Sequence, residues 1–183
     1  MLCWAQPAAI GSRQKRMKLA TISASWHRDL LNVAKASCVS RLAEYGIDAD
    51  SDIDDFNVPG SLEIPLMALK LAKSSNYDGI IAFGLIVDGG IYRHDFVASA
   101  VIDGLMRVQL DTEVPVFSCV LTPHQFHEHS DHVRFYQDHL AKKGAEVAES
   151  AFSFVTQLAE QDAPNRSLQS SQNSTPPVRD SED

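Results

Sequence analysis

Apolar and polar positions along the middle of the chain switch between two rhythms, and the switch recurs four times. Leu19 to Ser25 is a short apolar run of strand length. Leu31, Ala34, Cys38, Leu42 and Tyr45 then recur at helical spacing, and Gly46 is placed to end that helix. Ile53, Phe56 and Val58 mark a second strand of partial alternation. Past Pro59-Gly60, Leu62, Leu66, Leu69 and Leu71 predict a second helix, with Pro65 in its first turn, where a missing N–H does little harm. Gly79 to Val87 is an almost wholly apolar third strand. Its helix is expected to begin around Asp95, whose carboxylate suits backbone N–H groups, and to bury Val97, Ala100, Val101, Gly104, Leu105 and Val108. Val114 to Leu121 reads as a fourth strand, polar only at Ser118. The last helix is expected near Lys142-Lys143-Gly144, with a stripe of Gly144, Val147, Ala148, Ala151, Val155 and Leu158.

Strands alternating with helices imply right-handed crossovers and a parallel sheet covered on both faces, an α/β fold. Such sheets take ligands at the carboxyl ends of their strands. Four segments therefore converge on one rim: Ser25-Trp26-His27, Pro59 to Glu63, Val87 to His94, and Leu121-Thr122-Pro123. The third of these holds Asp88-Gly89-Gly90-Ile91-Tyr92-Arg93-His94-Asp95. Two glycines between strand and helix let backbone amides approach a ligand, and a helix start favours an anion. Arg93 adds a permanent positive charge and His94 a group that exchanges protons near neutrality. The turn therefore suits a small phosphorylated substrate. Trp26 offers an indole for a planar ring, or is a packing residue at a helix entrance. Glu63 is a substrate contact or simply a first-turn carboxylate.

Composition narrows the classes. With 183 residues the chain fits one domain and its tails. A net charge of −8 argues against nucleic acid and acidic membranes as partners. No apolar run approaches the roughly 20 residues of a membrane helix. The three cysteines, Cys3, Cys38 and Cys119, lack metal-ligand spacing, and a reducing cytoplasm is the expected location. His124, His127, His129, His132 and His139 invite a metal reading, but His127-Glu128-His129 has the wrong spacing for a zinc helix motif, and no metal is expected. Lys142 and Lys143 are solvated charges, or one reaches an anion. Residues 1–17 read as a disordered leader, with Met17 as an alternative start, and 160–183 as a polar disordered tail.

Taken together, these segments resemble the lumazine synthase family of riboflavin biosynthesis. Val58-Pro59-Gly60-Ser61-Leu62-Glu63-Ile64-Pro65 is similar to the family pattern V-P-G-A/S-x-E-I/L-P. Tyr77-Asp78, Gly84, Gly89, Asp95 to Ala98, Val114-Pro115-Val116 and Val120-Leu121-Thr122 fit its spacing, so that the likeness runs from about Lys18 to Leu158. The resemblance implies a three-layer sandwich of flavodoxin-like topology with a four-stranded parallel sheet, assembled as pentamers. It implies condensation of 5-amino-6-(D-ribitylamino)uracil with 3,4-dihydroxy-2-butanone 4-phosphate, releasing orthophosphate, with no cofactor. The alternative on the same fold is a flavin- or lumazine-binding protein with little catalysis.

Carried over by position, Trp26 would stack on the pyrimidine, while Ser61, Leu62 and Glu63 would contact the ribityl chain. Leu85, Ile86 and Val87 would line the pyrimidine through backbone groups, and Gly90 and Ile91 would bind phosphate. Ser118 stands where the family usually has a phenylalanine that reaches the site from a neighbouring subunit. Counted without gaps, Arg93 takes the place of the family's catalytic histidine, with His94 next to it. His132 takes the place of a phosphate-binding arginine, and the stretch from there to Lys143-Gly144 is longer than usual. These paired exchanges resemble the second type of the family, a decamer of two pentamers. Arg93 and His94 are the expected catalytic residues.

Overall fold

Two strands are buried along their whole length and so belong at the centre of the sheet. They are β1 (Leu19–Ala24) and β3 (Gly79–Leu85). The computed structural model describes residues 16–88, 93–123 and 130–172, with side chains described except at 130–135 and 162–172. Strands β2 (Ile53–Val58) and β4 (Val116–Leu121) expose part of their surface and form the edges. All pairs are parallel, in the order β2-β1-β3-β4. Leu19, Ile22, Ile80, Ile81 and Phe83 are fully buried there, each contributing about 1.5–3 kcal/mol of transfer free energy. This is the expected four-stranded α/β sandwich.

Helices cover both faces. Helix α1 (Arg28–Glu44) packs against α5 (Ser130–Gln172) on one face, and α3 (Ile64–Lys73) against α4 (His94–Thr112) on the other. Gly46 does end α1: its φ of 82° is open to glycine at little cost, and the Ile47 N–H reaches back to the Leu42 carbonyl at 3.1 Å. A one-turn helix, α2 (Ala49–Asp52), precedes β2 without having been anticipated. The Asp48 carboxylate caps it, accepting from the Ser51 N–H at 2.9 Å.

Two expectations need correction. The leucines after Pro59-Gly60 do mark a helix, but only some of them face the core. Leu71 is buried and Leu69 partly so, whereas Leu62 and Leu66 are exposed, and Ile64, Ala68 and Ala72 complete the buried side of α3. Pro65 does lie in the first turn, behind a 3-10 turn at Ser61–Glu63. Helix α4 starts at His94, one residue from the expected place, with Arg93 as the capping position and Asp95 inside the first turn as anticipated. Helix α5 starts at Ser130, well before Gly144, and runs on past residue 160 to Gln172. Its buried stripe already includes Leu140, and Gly144, on that stripe as expected, lies in mid-helix against Ala34 of α1.

The edge strand β2 is held by charge. Asp54 accepts from Lys18 at 2.6 Å and from the Tyr77 hydroxyl at 2.9 Å. Asp55 accepts from Thr21 at 2.7 Å and pairs with Lys35 at 2.5 Å. Charged side chains along an edge discourage a further strand from adding there.

Candidate functional site at the carboxyl ends of the strands

Strand β1 leads through α1 to β2 on one side, and β3 leads through α4 to β4 on the other. The connections after β1 and β3 therefore leave in opposite directions and open a crevice between neighbouring strands. Trp26 follows β1 there, 71% exposed. The chain is fixed on both sides of it. Ser25 donates its N–H and its hydroxyl to the Val58 carbonyl, both at 2.9 Å, and His27 takes a left-handed conformation (φ 57°, ψ 35°) at the start of α1. Histidine tolerates that region better than most residues, at a cost of order 1 kcal/mol.

The segment after β2 comes up against β3. A Cβ on Gly84 would lie 3.2 Å from the Ser61 hydroxyl and 3.3 Å from Ile64, so glycine there lets the 3-10 turn sit close to the strand. Ser61 is partly buried, and Leu62 and Glu63 are exposed. The Glu63 carboxylate accepts from the Gly60 N–H at 2.8 Å. That is half of a capping box, with no hydroxyl at Gly60 to supply the other half. Leu85 and Ile86 are buried and Val87 partly so. The Ile86 N–H is already bonded to the Leu121 carbonyl at 2.9 Å, which leaves only its carbonyl for a ligand.

At the start of α4 the two basic residues each hold a carboxylate. Arg93 Nη2 lies 2.7 Å from Asp95 Oδ2, and its guanidinium carbon sits 4.4 Å from the centre of the Phe96 ring, a cation–π distance. The bond from Arg93 holds the Asp95 carboxyl below the usual range, against the opposing effect of desolvation. His94 Nδ1 lies 3.1 Å from Asp88 Oδ1. Neither carboxylate was anticipated as a partner, because spacing along the chain does not report how the turn folds back.

One expected residue among those described lies away from this rim. Ser118 pairs with Ala82 in mid-strand, roughly 10 Å below the strand ends by the rise of about 3.3 Å per residue. It lines a groove of about 340 Å³ between β4 and α5 with Phe117, Lys143, Glu146 and Ser150. Lys143 is engaged by Glu146 at 2.6 Å. Gly90 and Ile91 lie outside the described residues, as do His124, His127, His129 and the side chain of His132. No described helix is long and apolar enough to cross a membrane.

An open parallel sheet with an aromatic ring, a guanidinium and an imidazole at its switch point defines a class: α/β proteins that handle a small ligand at strand ends. The family model of 6,7-dimethyl-8-ribityllumazine synthase matches residues 16–159. A 6,7-dimethyl-8-ribityllumazine synthase of Rhodococcus erythropolis is 55% identical over 141 residues, which are 77% of this chain and 90% of the relative. A 6,7-dimethyl-8-ribityllumazine synthase 2 of Pseudomonas syringae pv. tomato is 49% identical over 148 residues, 79% of this chain and 86% of its own. One of the same name from Bradyrhizobium diazoefficiens is 52% identical, covering 74% of this chain and 81% of the relative. The chain belongs to the 6,7-dimethyl-8-ribityllumazine synthase family.

Proposed function

We propose that this protein condenses 5-amino-6-(D-ribitylamino)uracil with 3,4-dihydroxy-2-butanone 4-phosphate to give 6,7-dimethyl-8-ribityllumazine, orthophosphate and water. The family match carries this reading, because residues 16–159 include every segment of the rim. The 5-amino group attacks the ketone and expels water, elimination of phosphate leaves an enol that tautomerises to a new ketone, and the ribitylamino nitrogen attacks that carbonyl and closes the ring with loss of a second water. Much of the acceleration comes from holding two substrates in register.

In this reading Trp26 stacks on the pyrimidine, and the Ser61 to Glu63 turn faces the ribityl chain. Val87 and the strand end below it line the ring. Arg93 clamps the phosphate or the charge that develops as it leaves. It stays protonated near neutrality, so it does not act as a base. His94 handles the proton transfers. Gly90 and Ile91 complete the phosphate turn, and Ser118 and His132 serve a site completed by a second subunit. We propose a homo-oligomer, a pentamer or a decamer of two pentamers, working in the cytoplasm. The buried free thiols of Cys38 and Cys119 suit a reducing compartment.

Mixing the full chain with both substrates should develop the absorbance of the lumazine. Arg93→Ala should raise the KM for the butanone phosphate about tenfold or more, as loss of a charged hydrogen-bonding partner does. His94→Ala should remove most of kcat, about 10²- to 10⁴-fold. Substrate binding without product in the unaltered protein would favour a flavin- or lumazine-binding protein. Unchanged turnover in both variants would mean that the acting residues lie elsewhere.

A further inference from the structure

We propose that Asp88 is a positioning residue for His94, taking the Nδ1 hydrogen so that Nε2 is the atom that exchanges protons with the substrate. The proposal rests on the proton-transfer role given to His94 above. Asp88 follows β3 and His94 opens α4, so the contact ties the strand end to the helix start, at 3.1 Å from Nδ1 to Oδ1. A carboxylate can only accept, so this contact requires the hydrogen of the neutral ring to sit on Nδ1. The lone pair is then on Nε2, and the ring is fixed about its outer torsion.

The neighbouring charges support this pairing. Arg93 is the neighbouring basic residue at this helix start, and its guanidinium is engaged by Asp95 at 2.7 Å. Asp88 is therefore matched to His94, each basic residue having its own carboxylate. The His94 side chain is only 23% exposed, whereas that of Asp88 is 68% exposed. The imidazole is thus held against the protein by a group that remains in water. A carboxylate beside a turn that receives a phosphate ester weakens binding by like-charge repulsion. Orienting the imidazole is the compensating gain.

The test compares the full-length protein with Asp88→Ala, Asp88→Asn, His94→Ala and the Asp88→Ala/His94→Ala pair, each checked for native circular dichroism. Asp88→Ala should lower kcat about tenfold, inside the roughly 10²- to 10⁴-fold that a general acid–base group supplies. The KM for the butanone phosphate should stay level or fall. Asp88→Asn keeps an acceptor oxygen and should recover most of the loss. In the His94→Ala background, removing Asp88 should cost nothing further. Nitrogen-15 spectra of the imidazole should show hydrogen on Nδ1 in the unaltered protein and a mixture of tautomers in Asp88→Ala. A normal kcat in Asp88→Ala, with turnover lost in His94→Ala, would overturn the proposal alone. Full turnover in His94→Ala would overturn the proton-transfer reading, and the proposal with it. An unchanged tautomer in Asp88→Ala would overturn the positioning role whatever the rates.

Discussion

Trp26 keeps most of its indole in water at the carboxyl end of β1, where the backbone on either side is fixed by the Ser25–Val58 bonds and the left-handed His27. A large aromatic face on a fixed backbone and left uncovered is well placed to stack, because the backbone ordering entropy is already spent before binding. Stacking of a heterocycle on an aromatic side chain is worth about 1–3 kcal/mol by alanine substitution. Trp26→Ala should therefore weaken binding of the ribitylaminouracil by about ten- to a hundredfold, and Trp26→Phe should restore much of it. Isothermal titration of the uracil alone reads this directly. The melting temperature should hardly move, since the side chain buries so little within the subunit. A Trp26→Ala protein that binds the uracil normally would remove the stacking role.

At the scale of elements, α1 and α5 cross at close quarters. A Cβ on Gly144 would lie 1.9 Å from the Ala34 carbonyl oxygen, a backbone atom that moves only if the helix moves. The helices are also pinned by the Ser37 hydroxyl, which donates to the Ala141 carbonyl at 2.7 Å, and by Tyr45 stacked on Phe152 with ring centres 4.4 Å apart. Gly144→Ala should cost about 3 kcal/mol or more, at the upper end for overpacking. Thermal unfolding should show a fall of roughly 6–12 °C for a chain of this size. A melting point within a degree or two would mean that the helices part easily. The same glycine shows where sequence reading stops. The helix was expected to begin near Lys142-Lys143-Gly144, yet Gly144 lies in mid-helix, and what it supplies is room for another helix, a tertiary fact with no local period. The central strands were legible because burial on both faces leaves an unbroken apolar run, as in Gly79 to Leu85. The strand-end rim was legible where motif residues lie together, at Trp26, Ser61 to Glu63, and Arg93-His94. The carboxylates that hold Arg93 and His94 were not, because those contacts depend on the fold of a turn.

Over the whole molecule, ionisable groups are arranged so that stability has both an acid and an alkaline limit. On the acid side, Asp48 is held below the usual carboxylate range by the Ser51 hydroxyl, and Asp52 by the Asp48 N–H. Lys18 does the same for Asp54, and Lys143 for Glu146. Groups depressed in the folded state add stability that is present above their unfolded pKa and lost as pH falls through the folded one. On the alkaline side, burial pushes the thiols of Cys38 and Cys119 from 9.0 up to about 12. Burial, then the bond to Asp54, pushes Tyr77 from 10.0 up to about 12. Groups raised in the folded state contribute fully below their unfolded pKa, and the contribution is lost as pH rises through the folded one. Stability should therefore be level near neutrality, fall below about pH 4, where unfolded carboxylates begin to take up protons, and fall again above pH 9. The alkaline slope is limited to roughly 1.4 kcal/mol per pH unit for each group. Urea midpoints measured from pH 7 to 11 under reducing conditions would trace it. Cys38→Ala/Cys119→Ala should start lower at pH 7, because both side chains are in the core, yet decline less steeply. An unchanged slope would leave that limb to Tyr77 and to Lys143, whose ammonium is held above its ordinary range by Glu146.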